Sequence, residues 1–174
     1  STFVLIDPNQ SNLDYAKFYT EPKIIKVPYA LSRNKGPRIL YLSNTDSGSS
    51  LYPPVNREWE QDRADNSYHF PMRLLEIETI TLTQVFDQLD LSHLDCIKLD
   101  TQGSELEILL GLDEGYWKNL LFIEAEVNLQ TPAIHQGAAS LPEMMSELEM
   151  RGFSLANIRT SRKDPTTTSG ISIP

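Results

Sequence analysis

Apolar residues along the chain fall into short runs ended by turn-forming residues, and several runs are followed by a stretch in which apolar positions recur every three or four residues. Phe3 to Ile6 is a β-favouring run stopped by Asp7-Pro8-Asn9, and Leu13, Ala16 and Tyr19 in the segment Ser11 to Tyr19 share a helical spacing. This reads as strand, turn, helix. Ile24 to Val27 predicts a second strand, and Asn34-Lys35-Gly36-Pro37 is a turn signal before the strand-like Arg38 to Leu42. Residues 43–71, rich in Ser, Asn, Asp, Gly and Pro, then predict a long surface loop, and loops of that length inside one domain usually carry function.

Alternation resumes at Leu74 to Ile80, where Leu75 and Ile77 alternate with Glu76 and Glu78 as in a half-buried strand. Thr81 and Gln84 have capping-box spacing and open a helix whose Leu82, Val85, Phe86 and Leu89 share a face. Asp95 to Asp100 predicts a strand that ends in Thr101-Gln102-Gly103. Ser104-x-x-Glu107 then has the spacing of a second capping box, on a helix carrying Leu106, Leu109 and Leu110 and closed by Gly111 as a C′ glycine. Leu120 to Val127 is the most hydrophobic strand candidate and is expected to be buried on both faces. Ser140 and Glu143 cap a helix with Met144, Met145 and Leu148 that stops at Arg151-Gly152, and Phe153 to Ile158 reads as one more strand. Strands alternating with capped helices predict an α/β sandwich on a mostly parallel sheet. After Arg159 apolar residues become sparse, which predicts a flexible tail or loop over 159–174.

Composition narrows the function classes. The 174 residues suit one domain, and 40% hydrophobic with 22% charged residues is the balance of a chain that folds. The net charge of -9 repels phosphate backbones, so nucleic acid is not an expected partner. No apolar run approaches the roughly 20 residues of a membrane span, and no signal peptide opens the chain. A single cysteine, Cys96, has no internal disulfide partner, which agrees with a reducing, cytoplasmic location. The eight glycines lie at 36, 48, 103, 111, 115, 137, 152 and 170, so the chain holds no G-x-G nucleotide loop.

Ligands of open α/β sheets bind beyond the carboxyl ends of the strands, which directs attention to three acidic positions. Asp7 ends the first strand, where a carboxylate accepts both hydroxyls of a ribose or else starts a turn and caps the helix that follows. Asp100 ends the strand Cys-Ile-Lys-Leu-Asp, where it orients an amine, a hydroxyl or a metal, or anchors the next helix N-terminus. Glu124 and Glu126 lie within the most hydrophobic strand, and a buried carboxylate needs a partner or a proton, with Lys98 a candidate for a structural ion pair. His69, His93 and His135 have no Cys or His at ligand spacing, so no metal site is expected. Cys96, among apolar residues in a strand, reads as an inert core thiol.

The order of segments resembles FkbM-type S-adenosylmethionine-dependent methyltransferases. The resemblance is carried by Phe3-Val-Leu-Ile-Asp-Pro-Asn, Val27-Pro-Tyr-Ala-Leu-Ser, Ser47-Gly-Ser-Ser-Leu-Tyr-Pro-Pro and above all Ile97-Lys-Leu-Asp-Thr-Gln-Gly-Ser-Glu-Leu-Glu-Ile-Leu-Leu-Gly, with Phe122-Ile-Glu-Ala-Glu-Val and Arg151-Gly-Phe in support. It runs from about residue 3 to 158, and its specific part is 97–111. It implies a Rossmann-like three-layer methyltransferase fold in one partial domain over 1–174, S-adenosyl-L-methionine as cofactor, and O-methylation of a small-molecule or saccharide acceptor.

Residue by residue, the resemblance places Asp7 on the cofactor ribose with Asn9 beside it, and Ala30 and Leu31 against the adenine. Asp100 lies at the methionine end as both cofactor-binding and catalytic residue, Gln102, Gly103 and Glu105 complete its motif, and Glu124 is catalytic on the acceptor side. Compared with the family pattern, the first strand and its D-x-G-A-x-x-G loop do not precede Phe3, so truncation at the N-terminal strand is expected. A missing strand replaced by another segment or subunit leaves homo-oligomerisation open. A non-catalytic α/β scaffold that has lost the donor site is the alternative reading, and a nucleotide-binding enzyme using Asp7 on ribose a weaker third.

Overall fold

The computed structural model describes residues 2–14, 23–43, 46–55, 71–129, 133–159 and 170–173. Its elements are β1 (Thr2–Ile6), α1 (Gln10–Asp14), β2 (Lys23–Val27), β3 (Ala30–Leu31), β4 (Gly36–Ser43), β5 (Pro71–Ile80), α2 (Leu82–Gln88), β6 (Cys96–Leu99), α3 (Glu105–Leu110), α4 (Glu114–Trp117), β7 (Phe122–Glu126), α5 (Leu141–Glu149) and β8 (Gly170–Ile173). The architecture is mixed α/β with parallel pairs, as the alternation of strand and helix patterns predicts. Among the described residues, three small sheets stand in place of one mostly parallel sheet. β1 and β2 are parallel, β5 joins β3 in parallel and β4 antiparallel, and β7 joins β6 in parallel and β8 antiparallel.

One core unites most of these elements. Leu99 of β6 and Ile123 and Ala125 of β7 pack in the same cluster as Leu82, Val85 and Phe86 of α2, Ile108 and Leu109 of α3, and Met144 and Leu148 of α5. The helices present apolar residues three and four apart, so each buries one stripe against the sheet. The boxes at Thr81 with Gln84 and at Ser140 with Glu143 both form, satisfying backbone donors at the starts of α2 and α5. A second small cluster, Ala30, Leu40 and Leu51, ties β3 and β4 to the loop that follows β4.

Several expectations are corrected. β7 is not buried on both faces: Ile123 and Ala125 point into the core, while Phe122, Glu124 and Glu126 are half-buried on the other face. That alternation keeps two carboxylates at the edge of water. Cys96 is exposed, because it opens β6, which is an edge strand of its sheet. Phe153 to Ile158 forms no strand, since both sides of β7 are taken by β6 and β8; Phe153 instead meets the Trp117 ring edge-on at 6.0 Å. Within the expected tail, residues 170–173 are the strand β8, as the β-favouring Gly170-Ile-Ser-Ile finds the open side of β7.

The described part of 43–71 is also less loop-like than its composition predicts. It contains a short 3-10 turn at Asp46–Gly48, buried Ser50 and Leu51, and bridges from Ser50 to Tyr41 and from Pro54 to His135, while Pro71 already belongs to β5. Residues 56–70, with His69, lie outside the described residues, as do Ala16 and Tyr19 of the expected first helix. Among the described residues no helix is long and apolar enough to cross a membrane.

Candidate active site

The carboxyl ends of β6 and β7 place the candidate side chains. The two strands are parallel with Lys98 opposite Glu124 and Leu99 opposite Ala125, so one step further on Asp100 follows β6 beside Glu126 of β7. Neighbouring strands lie about 4.8 Å apart, and side chains two residues apart share a face. Lys98, Asp100, Glu124 and Glu126 therefore form a square on one face of the sheet. On its lower edge the pairing is cation to anion, Lys98 Nζ lying 3.5 Å from Glu124 Oε1, with Arg159 3.5 Å from Glu124 Oε2. This is the ion pair expected of Lys98. On the upper edge two acids meet.

A turn built for the purpose caps that upper edge. Gln102 (φ 57°) and Gly103 (φ 113°) both have positive φ, and the Gln102 amide donates to Asp100 Oδ1 at 3.2 Å and to Glu126 Oε2 at 2.8 Å. A left-handed residue other than glycine is uncommon, and here it aims an amide across both acids. Glu105, only 4% exposed, fixes the turn from below: it accepts from the Thr101 N–H at 2.7 Å and the Gly103 N–H at 3.0 Å. Burial raises the Glu105 pKa, and these backbone donors oppose the rise. Ser50 Oγ donates to the Gln102 carbonyl at 2.8 Å, so the segment after β4 is tied to the site.

Gly103 is required at its position. A Cβ there would lie 2.8 Å from Ala138 Cβ, on a backbone that L side chains rarely adopt. Gly103→Ala is expected to cost about 2–4 kcal/mol from strain and overpacking together, measured by denaturant unfolding.

The Ser104-x-x-Glu107 box does not form. Ser104 Oγ donates to Thr101 Oγ1 and makes no cap bond, its backbone at φ -95° and ψ 9° lacking the extended geometry of an N-cap, and the Glu107 side chain is engaged elsewhere. Its Oε1 pairs with Arg38 at 2.7 Å, and its Oε2 accepts the Tyr52 hydroxyl. Partial burial and then this bond to Glu107 push the Tyr52 pKa up to about 12. Arg38 and Tyr52 lie far from Glu107 in sequence, so local spacing gave no sign of them. Gly111 ends α3 with an ordinary φ of -86°, and its lack of a side chain admits the Ser32 and Arg33 carbonyls, each 3.0 Å from where a Cβ would stand.

Glu126 is strongly perturbed as well. Its hydrogen bond with Asp100, then burial, then the charges of Asp100 and Glu105 raise its pKa to about 8, against the opposing Gln102 amide. The sign of the linked stability follows. Between the ordinary carboxylate value and about 8 the folded chain keeps a proton that the unfolded chain releases, so stability falls as pH rises through that window. Urea midpoints at pH 5 and pH 8.5 are expected to show that fall, and Glu126→Gln is expected to flatten it.

The other expected site residues are placed as follows. Asp7 follows β1, its Oδ1 accepting from the Asn9 N–H at 2.7 Å and its Oδ2 from the Asn12 amide at 3.0 Å. It therefore starts the turn into α1 while, with about four acceptor positions on a carboxylate, it keeps room for further donors. Asn9 caps the same turn, accepting from the Ser11 N–H at 3.0 Å. Ala30 and Leu31 form β3 and are buried, at 6% and 9% exposure, so they offer little surface to a ligand, whereas the preceding Tyr29 is 42% exposed. Glu124 stands apart from the Asp100 and Gln102 cluster, with Lys98 and Arg159. Glu126 takes the place beside Asp100, and the signal for it was the K-x-D and E-x-E spacing once the strands pair in parallel. Among the described residues no three His, Cys, Asp or Glu side chains converge to hold a metal ion.

The family model described as Methyltransferase FkbM domain matches residues 1–155, a span that includes β1, the 97–111 turn and helix, β7 and α5. No curated protein and no solved structure matches the chain. The chain belongs to the FkbM methyltransferase domain family and is a methyltransferase.

Proposed function

We propose that this FkbM-family methyltransferase uses S-adenosyl-L-methionine to methylate a hydroxyl of a small molecule or saccharide, on a Rossmann-like three-layer arrangement of its sheets and helices. The observation that carries this reading is the exposed Asp100 at the carboxyl end of β6, oriented by Gln102 and backed by Glu126. The residues present fit the cofactor. Asp7 is half-buried at a strand end, has acceptor capacity left after its two local bonds, and so suits a ribose diol. Asn9 holds that turn, and the exposed Tyr29 ring beside the buried Ala30 and Leu31 offers apolar surface for an adenine.

When bound, the cofactor supplies a methyl group on a sulfonium, whose C–S electron pair returns to sulfur as the new O–C bond forms. The protein's part is to bring the acceptor oxygen into line and to take its proton, both of which a fixed carboxylate can do. Asp100 takes that proton at an Oδ atom. Glu124, held by Lys98 and Arg159, shapes the acceptor side of β7 and takes no proton in this scheme. Incubating the chain with methyl-labelled S-adenosyl-L-methionine and a panel of sugars and polyols tests the reading: label is expected on a hydroxyl of at least one acceptor. Label found only on nitrogen or sulfur acceptors would contradict transfer to oxygen.

A further inference from the structure

The upper edge of the square breaks the charge pairing of the lower edge. Parallel register that sets Lys98 against Glu124 sets Asp100 against Glu126, and a single amide nitrogen, Gln102 Nε2, is within hydrogen-bond distance of both acids. An amide NH₂ has two hydrogens, so one goes to each carboxyl group. Two ionised carboxylates held by one amide nitrogen repel, and one proton between them removes the conflict. The groups facing Glu126 are few. They are Asp100 and Gln102 from the end of β6, Glu105 from α3 and Asn128 beyond β7; on the β8 side its register partner is Gly170, which has no side chain to offer a charge. Lys98 and Arg159, on the same face, pair with Glu124.

Behind Glu126 lies a cavity of about 20 Å³ lined by Gln102, Gly103, Glu105, Glu126, Asn128 and two apolar residues. Such a volume holds one water-sized group and no substrate. Asn128 Oδ1 is buried in this wall and has no hydrogen-bond partner among the described residues, so it is an acceptor facing a space fit for a single small donor. The substrate side of the pair is thus the exposed Asp100, and Glu126 is its inner member.

We infer that Glu126 is a positioning residue that shares one proton with Asp100 under the clamp of Gln102, and thereby sets the state in which Asp100 meets the acceptor. The catalytic consequence rests on the function proposed above; the shared proton is a property of the chain alone.

Side-chain carboxyl ¹³C NMR of the full chain, without cofactor or acceptor, tests it. The Glu126 resonance, assigned by its loss in Glu126→Gln, is expected to titrate near pH 8. Asp100→Asn is expected to lower that midpoint by two units or more, and Gln102→Ala, which removes an opposing donor, to raise it. A native Glu126 midpoint below pH 6, or one unmoved by Asp100→Asn, would overturn the inference whatever the enzyme methylates. The pH profile of methyl transfer supplies a second readout: an inflection near 8 is expected in the native enzyme and absent in Glu126→Gln. An inflection retained in that variant would also overturn the inference, while absence of methyl transfer with the titration intact would count against the proposed function only.

Discussion

Asp100→Asn is expected to lower the rate of methyl transfer by about 10²–10⁴-fold, the range that a positioned proton acceptor contributes. The fold is expected to survive the change. Asp100 is exposed, and its hydrogen bond to Gln102 has an amide oxygen of the same shape to replace it. Removing one of two adjacent acids also relieves their repulsion, so the unfolding midpoint is expected to stay level or rise slightly. A loss of rate in this variant therefore reports on chemistry and not on stability. Initial rates with labelled cofactor, read beside a urea melt of the same preparation, check both halves. A variant that turns over at the native rate would remove Asp100 from the mechanism.

Glu105→Ala is expected to be the most damaging substitution for the fold, at about 2–5 kcal/mol. The carboxylate is buried and is the acceptor for the Thr101 and Gly103 N–H groups, both in a turn whose φ values leave few other conformations. A fully buried donor left without a partner costs about 1–3 kcal/mol, and here two half-buried donors lose their acceptor together with the packing of the Glu105 side chain. For a domain of this size the loss corresponds to roughly 5–15 °C in Tm. Glu105→Gln keeps an acceptor oxygen in the same place and is expected to lose far less. Scanning calorimetry of the two variants distinguishes the role: equal midpoints for Ala and Gln would mean that the acceptor does not hold the turn.

The features of this fold that were legible in the sequence are those set by neighbouring residues. Capping boxes at Thr81 and Ser140 form because both partners lie within one turn, and the apolar stripes of α2, α3 and α5 follow from helical spacing. The box at Ser104 had the same spacing, yet Glu107 is drawn to Arg38 and Tyr52 by contacts that only the tertiary fold creates. Burial likewise depends on contacts that only the tertiary fold creates. Whether Cys96 is covered depends on which strand flanks β6, and whether 153–158 pairs depends on β8 having occupied the open side of β7.

The candidate site divides similarly. Asp7 and Asp100 are found from their places at strand ends, which local pattern reveals. Glu126, in contrast, is chosen over Glu124 by register, and the left-handed Gln102 that bridges the two acids carries no local signature at all. The resemblance to the FkbM family agrees with the family match over residues 1–155.

The most direct measurement is calorimetric titration of the full chain with S-adenosyl-L-methionine. Saturable heat is expected, with binding weakened in Asp7→Ala, since that carboxylate is proposed to accept from the ribose hydroxyls. No heat and no thermal shift at millimolar cofactor would contradict the assignment of the strand ends after β1 and β6 as a donor site.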